Sequence, residues 1–246
     1  MVNQMKDKKP FYRTIVHPAG MLSFQIIIEE SNLMILAEKD LREKARAVLW
    51  HHREQLKQYI EAHPEFYYSF TPLEVEKAPH IVQTMAEAAW LTNTGPMAAV
   101  AGALAEAVGH SLLQESSQVI VENGGDIFLH CLNPAVIGIY AGNSPFSLKI
   151  GIKLPGSDFS RGIATSSGTV GHSWSYGQAD AVTVVCRSAT LADAAATRLG
   201  NLVLASGDWS QIETELSRLP FVEAAVCIAG RKMMAWGQME LVSLED

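Results

Sequence analysis

Gln118-Val119-Ile120-Val121-Glu122-Asn123-Gly124-Gly125-Asp126-Ile127-Phe128-Leu129-His130-Cys131 reads as two short apolar strands folded back on each other by a glycine turn. Val, Ile and Phe suit a pleated, buried surface, while Asn-Gly and Gly-Gly supply the positive φ angles that a tight hairpin needs. Gln118 to Glu122 and Asp126 to Cys131 are therefore predicted to be antiparallel strands. Further strands are predicted at Ala135 to Tyr140, Ser147 to Lys153, Gly162 to Thr165 and Ala179 to Arg187, separated by short Gly, Asn and Pro breaks.

Upstream of this run, Pro96 to Leu113 and Pro79 to Leu91 read as helices, with Pro96 suited to a first helical position. From Glu38 to His63, Leu41, Ala45, Val48, Leu49, Leu56 and Ile60 recur at helical spacing until Pro64 ends the pattern. Met21 to Glu29 and Leu33 to Ala37 suggest an opening hairpin turned at Ser31-Asn32. At the far end come helices Leu191 to Ala205 and Ser210 to Leu219, then strands Val222 to Ala229 and Lys232 to Val242 joined by Gly230-Arg231. The class is α+β, with mixed, mainly antiparallel sheets flanked by helices. Residues 1–246 form one domain, with 1–20 loosely ordered. Strand and helix groups alternate twice, which suggests a loosely duplicated, two-lobed arrangement.

Composition narrows the function. Among 246 residues, 48% hydrophobic content supplies a large core, so disulfide staples are not needed. Cys131, Cys186 and Cys227 are far apart in apolar settings and read as reduced core thiols. A formal net charge of -7 without a basic patch argues against nucleic acid. The polar N-terminus with Lys6, Lys8 and Lys9 lacks a secretory h-region, so a cytoplasmic setting is expected. Gly95 to Leu113 is nearly charge-free, but it is built on Ala and Gly and interrupted by Glu106 and His110. It reads as a buried helix and no membrane span is expected. His51 and His52 are adjacent, pointing in different directions, which suits solvated or packing roles.

Three segments could carry chemistry. Glu122 to Asp126 is either a structural turn or a place where a ligand reaches backbone N–H groups past two glycines. Gly162-Ile163-Ala164-Thr165-Ser166-Ser167-Gly168-Thr169, followed by Gly171-His172-Ser173, concentrates hydroxyl and N–H donors of the kind that surround phosphate or carbohydrate oxygens. His172 is a candidate donor or general acid/base, or else a surface histidine on a loop. In Ala192-Asp193-Ala194-Ala195-Ala196-Thr197, Asp193 and Thr197 share a helix face, and their hard oxygens suit Mg²⁺ or Ca²⁺. Alternatively, Thr190-Leu191-Ala192-Asp193 is a capping box in which Asp193 serves its own helix N-terminus.

In this order the segments resemble the ApbE-like family, best known for magnesium-dependent FAD:protein FMN transferases. The pattern is closest to the family's short, uncharacterised cytoplasmic relatives. The resemblance runs from Gly95 to the end of the Asp193 helix, with a strand and helix prelude. It implies a metal site of Asp193, Thr197 and a backbone carbonyl from Met97 to Gly102, taken here as Ala98. It also implies a cofactor cradle of Asn123, Gly124, Gly125 and Asp126 with Thr165, Ser166, Ser167 and Gly168. Two departures stand out. No Lys falls on the helix from Pro96 to Leu113, where the family's transferases carry Ala-Lys-Gly, and their His-His-x-x-Asp-Pro-x-Thr-Gly segment is replaced by Gly171 to Asp180.

The leading expectation is thus a pocket that binds FAD or another nucleotide pyrophosphate through Mg²⁺, with transfer or hydrolysis at the phosphoanhydride, as in a flavin or nucleotidyl transferase or a pyrophosphatase. His172 and Asp180 are the proton-handling candidates. The alternative is a non-catalytic ligand-binding or homodimeric assembly module of the same fold. A serine hydrolase built on Ser166 or Ser167 with His172 and Asp180 lacks the Gly-x-Ser-x-Gly elbow.

Overall fold

A computed structural model of the chain describes residues 20–168, 177–203 and 208–245. The expectation for residues 1–20 falls outside these, apart from Gly20, and so does His172. The chain opens with the hairpin β1 (Leu22–Ile28) and β2 (Ser31–Ala37), then helices α1 (Arg42–Ala62), α2 (Glu65–Tyr68) and α3 (His80–Thr92). A 3-10 turn at Pro96–Ala99 leads into α4 (Val100–Leu112). Strands β3 (Val119–Asn123), β4 (Asp126–His130), β5 (Ala135–Gly138), β6 (Ile150–Leu154), β7 (Arg161–Ser166) and β8 (Ala181–Cys186) follow. Helices α5 (Ala189–Gly200) and α6 (Ser210–Leu216) precede β9 (Val222–Ala229), β10 (Lys232–Gly237) and β11 (Glu240–Ser243).

Eight strands form one antiparallel sheet in the order β1-β2-β3-β4-β7-β8-β9-β10, and β11-β6-β5 form a second, three-stranded sheet. The large sheet reads twice as hairpin, helices, hairpin, so the duplication lies within one sheet rather than in two separate lobes. Helices cover one face: Val119, Val121 and Phe128 pack with α1, α3 and α4, while Val182 and Val184 pack with α5 and α6. On the other face Ile120, Ile127, Leu129 and Val185 meet Ile137 and Ile152 of the small sheet. The central strands are therefore buried on both sides, which is why every residue of β3 and β8 is buried rather than every second one. Close helix approach needs small residues. A Cβ on Gly109 of α4 would stand 2.1 Å from the Phe128 ring.

Several boundaries differ from the sequence reading, each for a tertiary reason. Ile28 pairs with Ser31, so the first turn is Glu29-Glu30 and not Ser31-Asn32. Glu29 takes a positive φ of 51°, and Lys57 and Arg53 of α1 hold Glu29 and Glu30 at 2.6 Å each. The strand expected over 232–242 divides at Gly237, which has a φ of 84°, and its last part leaves β9 to pair with β6. α5 starts two residues earlier than expected, because Ser188 caps it by accepting from Leu191 N–H at 3.2 Å. Among the described residues no helix is long and apolar enough to cross a membrane.

Candidate functional site

β-strand alternation decides which side chains of the β3–β4 hairpin can meet the helices. Asn123 and Asp126 pair across the turn, on the register of Val121 and Phe128, and so face α4 and α5. Gly124 and Gly125 form the turn with φ of 69° and 108°, which only glycine adopts without strain. A Cβ on Gly124 would meet nothing within 4 Å, and one on Gly125 would meet only the Thr165 carbonyl at 3.8 Å. The turn thus borders open space beside the end of β7. Beneath it, the buried Glu122 accepts from Gly125 N–H through Oε1 at 2.9 Å.

α4 and α5 cross where Gly102 lies against the second helix. A Cβ there would stand 2.2 Å from the Ala189 carbonyl oxygen. At this contact Asp193 Oδ2 accepts from Gly102 N–H at 2.9 Å, with Ala101 N–H as a further donor. Asp193 therefore does not cap its own helix, as the capping-box alternative required. It caps α4, whose own N-cap residue, Ala99, offers no side-chain acceptor. Asn123 Nδ2 donates to the Ala101 carbonyl at 3.1 Å, which fastens the hairpin to the same turn of α4.

The electrostatics here are unfavourable for the bare protein. Burial raises the Asp126 carboxyl well above the ordinary carboxylate range, and the charges of Asp193 and Glu122 raise it further. A hydrogen bond from Thr165 N–H only partly opposes this. Asp193 keeps some solvent contact as a residue, but its carboxyl is enclosed by protein, and burial pushes it up to about 7 despite the two N–H donors. Two enclosed carboxyls sharing one space favour either a proton or a cation between them. Thr197 lies one turn further on the same face of α5. Ala98 sits in the 3-10 turn that enters α4. Among the described residues no three His, Cys, Asp or Glu side chains are arranged to hold an ion, so a cation here would also draw on hydroxyl and carbonyl oxygens.

The other predicted residues are placed as follows. The Thr165 hydroxyl pairs with Thr183 Oγ1 at 2.9 Å on the opposite face of the sheet, so only its backbone faces Asp126. Ser166 ends β7, while Ser167 Oγ lies 3.5 Å from the Ala179 carbonyl and Gly168 N–H donates to that carbonyl at 2.9 Å. Asp180 accepts from Gly230 N–H at 2.6 Å and so braces the β9–β10 turn.

Glu106 was not singled out from the sequence, yet it mirrors Asp193. From α4 it accepts Ser188 Oγ at 2.7 Å, Thr190 Oγ1 at 2.6 Å and Thr190 N–H at 2.9 Å, at the start of α5. Its signal was present: a lone carboxylate inside a small-residue helix must find partners.

A family model described as AbpE bacteria matches residues 13–216. The chain belongs to that family. Among relatives of this AbpE-family chain is a UPF0280 protein of Methanococcus vannielii, 44% identical over 193 residues, covering 76% of this chain and 78% of the relative. Another, from Methanospirillum hungatei, is 41% identical over 215 residues, covering 86% of each. Among solved structures, flavin transferase ApbE from Vibrio cholerae superposes with a TM-score of 0.59 at 13% identity, covering 89% of this chain and 97% of that one. Pseudomonas stutzeri flavinyl transferase ApbE gives a TM-score of 0.55 at 15% identity, over 88% and 93%. The AbpE-family chain therefore has the ApbE-like α+β fold.

Proposed function

We propose that this protein binds a nucleotide pyrophosphate such as FAD through Mg²⁺ at the junction of the β3–β4 turn with the starts of α4 and α5. The observation that carries the reading is the pair of enclosed carboxyls, Asp126 and Asp193, both raised in pKa and set beside the open Gly124-Gly125 turn. Asp193, Thr197 and the Ala98 carbonyl would hold the ion, with Asp126 beside them, and hard oxygen donors of this kind fit Mg²⁺. When bound, the ion supplies positive charge against the phosphates.

The chain's own residues do the rest. Asp193 lies against the N–H groups of Ala101 and Gly102, Asn123 keeps the hairpin against that helix turn, and Glu122 fixes the orientation of Gly125. The backbones of Gly124, Gly125 and Ser166 to Gly168 are the candidate phosphate contacts, of which the Gly125 and Gly168 N–H groups would have to exchange their bonds to Glu122 and Ala179, and Asn123 and Asp126 border them. His172 and Asp180 are the candidates for moving a proton during phosphoanhydride transfer or hydrolysis, in a cytoplasmic setting.

Titration of FAD into the protein with Mg²⁺ should quench flavin fluorescence and raise the melting temperature. Asp193→Asn should abolish the dependence on Mg²⁺. No change at millimolar FAD would overturn the reading. A second reading, a ligand-binding or homodimeric module without turnover, is favoured by the absence of Lys from α4 and by the rewritten Gly171 to Asp180 segment. Mass spectrometry of copurified ligand separates the two, since intact nucleotide without cleaved product marks binding alone.

A further inference from the structure

Away from the Asp126 and Asp193 pair, α1, α3, α4 and the start of α5 line a half-open cavity of about 360 Å³. At ~30 Å³ per water molecule that is room for about a dozen, which places it at the small end of ligand pockets. Ile81 and Leu91 of α3, Ala103 and Ala107 of α4 and Leu191 of α5 give it apolar walls. Polar groups enter from several sides: His52 from α1, His80 and Glu87 from α3, and Glu106 and His110 from α4.

The charge of this lining is one-sided. None of the described residues that line the cavity is Lys or Arg. Burial opposes charge on Glu106, but the nearby His110 and hydrogen bonds from Thr190 and Ser188 outweigh it and hold the carboxyl below its usual range, so Glu106 is an anion at neutral pH. Glu87 on the exposed rim adds a second carboxylate. His52 is kept neutral first by burial and then by the neighbouring His51 and His80, and its Nδ1 has no hydrogen-bond partner among the described residues. Glu106 Oε2 is taken up by Ser188 and Thr190, whereas Oε1 lies 3.7 Å from His110 Nε2, too long for a hydrogen bond. Glu106 Oε1 thus faces a space lined by apolar side chains and two carboxylates, with no Lys or Arg among the described residues.

We infer that this cavity is a second ligand site, for a small organic cation: a primary amine with a short apolar body, its ammonium against Glu106 and its body among Leu191, Ala103 and Ile81. Charge selects the ligand's sign and the apolar walls its size, because a buried carboxylate repels anions and gains little from a neutral hydroxyl.

Three ligands of one shape test the assignment: benzylamine, benzyl alcohol and benzoate, titrated into the whole chain and followed by NMR of the Ala103 and Ala107 methyl groups. Benzylamine should bind at least tenfold more tightly than the alcohol, and benzoate should not bind. Ala107→Phe, which fills the cavity, should abolish the benzylamine shifts. Glu87→Gln, a change at an exposed residue that leaves the fold in place, should weaken benzylamine about threefold and leave benzyl alcohol unchanged. Equal affinity for amine and alcohol, any preference for benzoate, or no benzylamine shift at tens of millimolar overturns the proposal. So does Zn²⁺ binding at His52 and His80 and excluding benzylamine, which would make the cavity a metal site.

Discussion

Two ends of one helix crossing use the same device with opposite electrostatic outcomes. At one end Glu106 of α4 caps the start of α5; at the other Asp193 of α5 caps the start of α4. Glu106 gathers three hydrogen bonds on one oxygen and is held below the ordinary carboxylate pKa. Asp193 also receives backbone donors, yet burial raises it to about 7, and its charge in turn raises the neighbouring Asp126. A cap whose donors offset its burial keeps its charge without a second acid or an ion beside it. One crowded by a second acid needs a further positive partner, and that difference separates the scaffold from the candidate site.

The comparison breaks most severely if the crossing itself is wedged apart. Gly102→Ala places a Cβ 2.2 Å from the Ala189 carbonyl, backbone that cannot rotate away. It should cost more than ~3 kcal/mol in chemical denaturation and disturb both carboxylates together.

Next come the two caps, which should respond with different signs. Glu106→Ala strands the Ser188 and Thr190 donors and should cost about 3 kcal/mol at pH 8. Asp193→Asn keeps an acceptor for Gly102 N–H while removing a charge facing Asp126, so without Mg²⁺ it should be no less stable than the parent at pH 8. The pH profile sharpens this. A carboxyl raised from an ordinary 3.8 to about 7 binds its proton more tightly when folded, so its contribution to stability is greatest below pH 3.8 and is lost as pH climbs towards 7. Metal-free parent protein should carry this decline, Asp193→Asn should retain only the part due to Asp126, and Mg²⁺ should offset it at pH 8. Glu106, lowered rather than raised, contributes in the reverse direction: its stabilisation is present above pH 4.5 and lost as pH falls below that value.

The smallest effect is expected at Gly124→Ala. Nothing within 4 Å obstructs the new methyl, but a φ of 69° costs about 1 kcal/mol for a residue with a Cβ. Thermal denaturation should detect that loss, which confines the role of Gly124 to backbone conformation.

Much of the fold was legible because it is local. The Gly124-Gly125 turn, the apolar strands around it and the helical period of α1 all lie within short windows of sequence. The site was legible only in its parts. Asp193 and Thr197 share a helix face by spacing, but whether Asp193 serves α5 or α4 depends on Gly102, 91 positions away, and no local pattern carries that contact. Ser188 had to be recognised as the α5 cap before Asp193 was released from that duty. Thr165 shows the opposite limit. Its residue type suits a phosphate loop, yet strand alternation turns its hydroxyl to Thr183 on the far face. β11 was merged with β10 because the apolar run continues across Gly237, and only pairing with β6 separates them.

The halves of the large sheet meet along β4 and β7, where only Ile127–Ile163, Phe128–Gly162 and Leu129–Arg161 form the ladder, against seven pairs between β1 and β2. So short a seam leaves the α4–α5 crossing on one face and the small sheet on the other, which packs against strands of both halves, to tie the two repeats together.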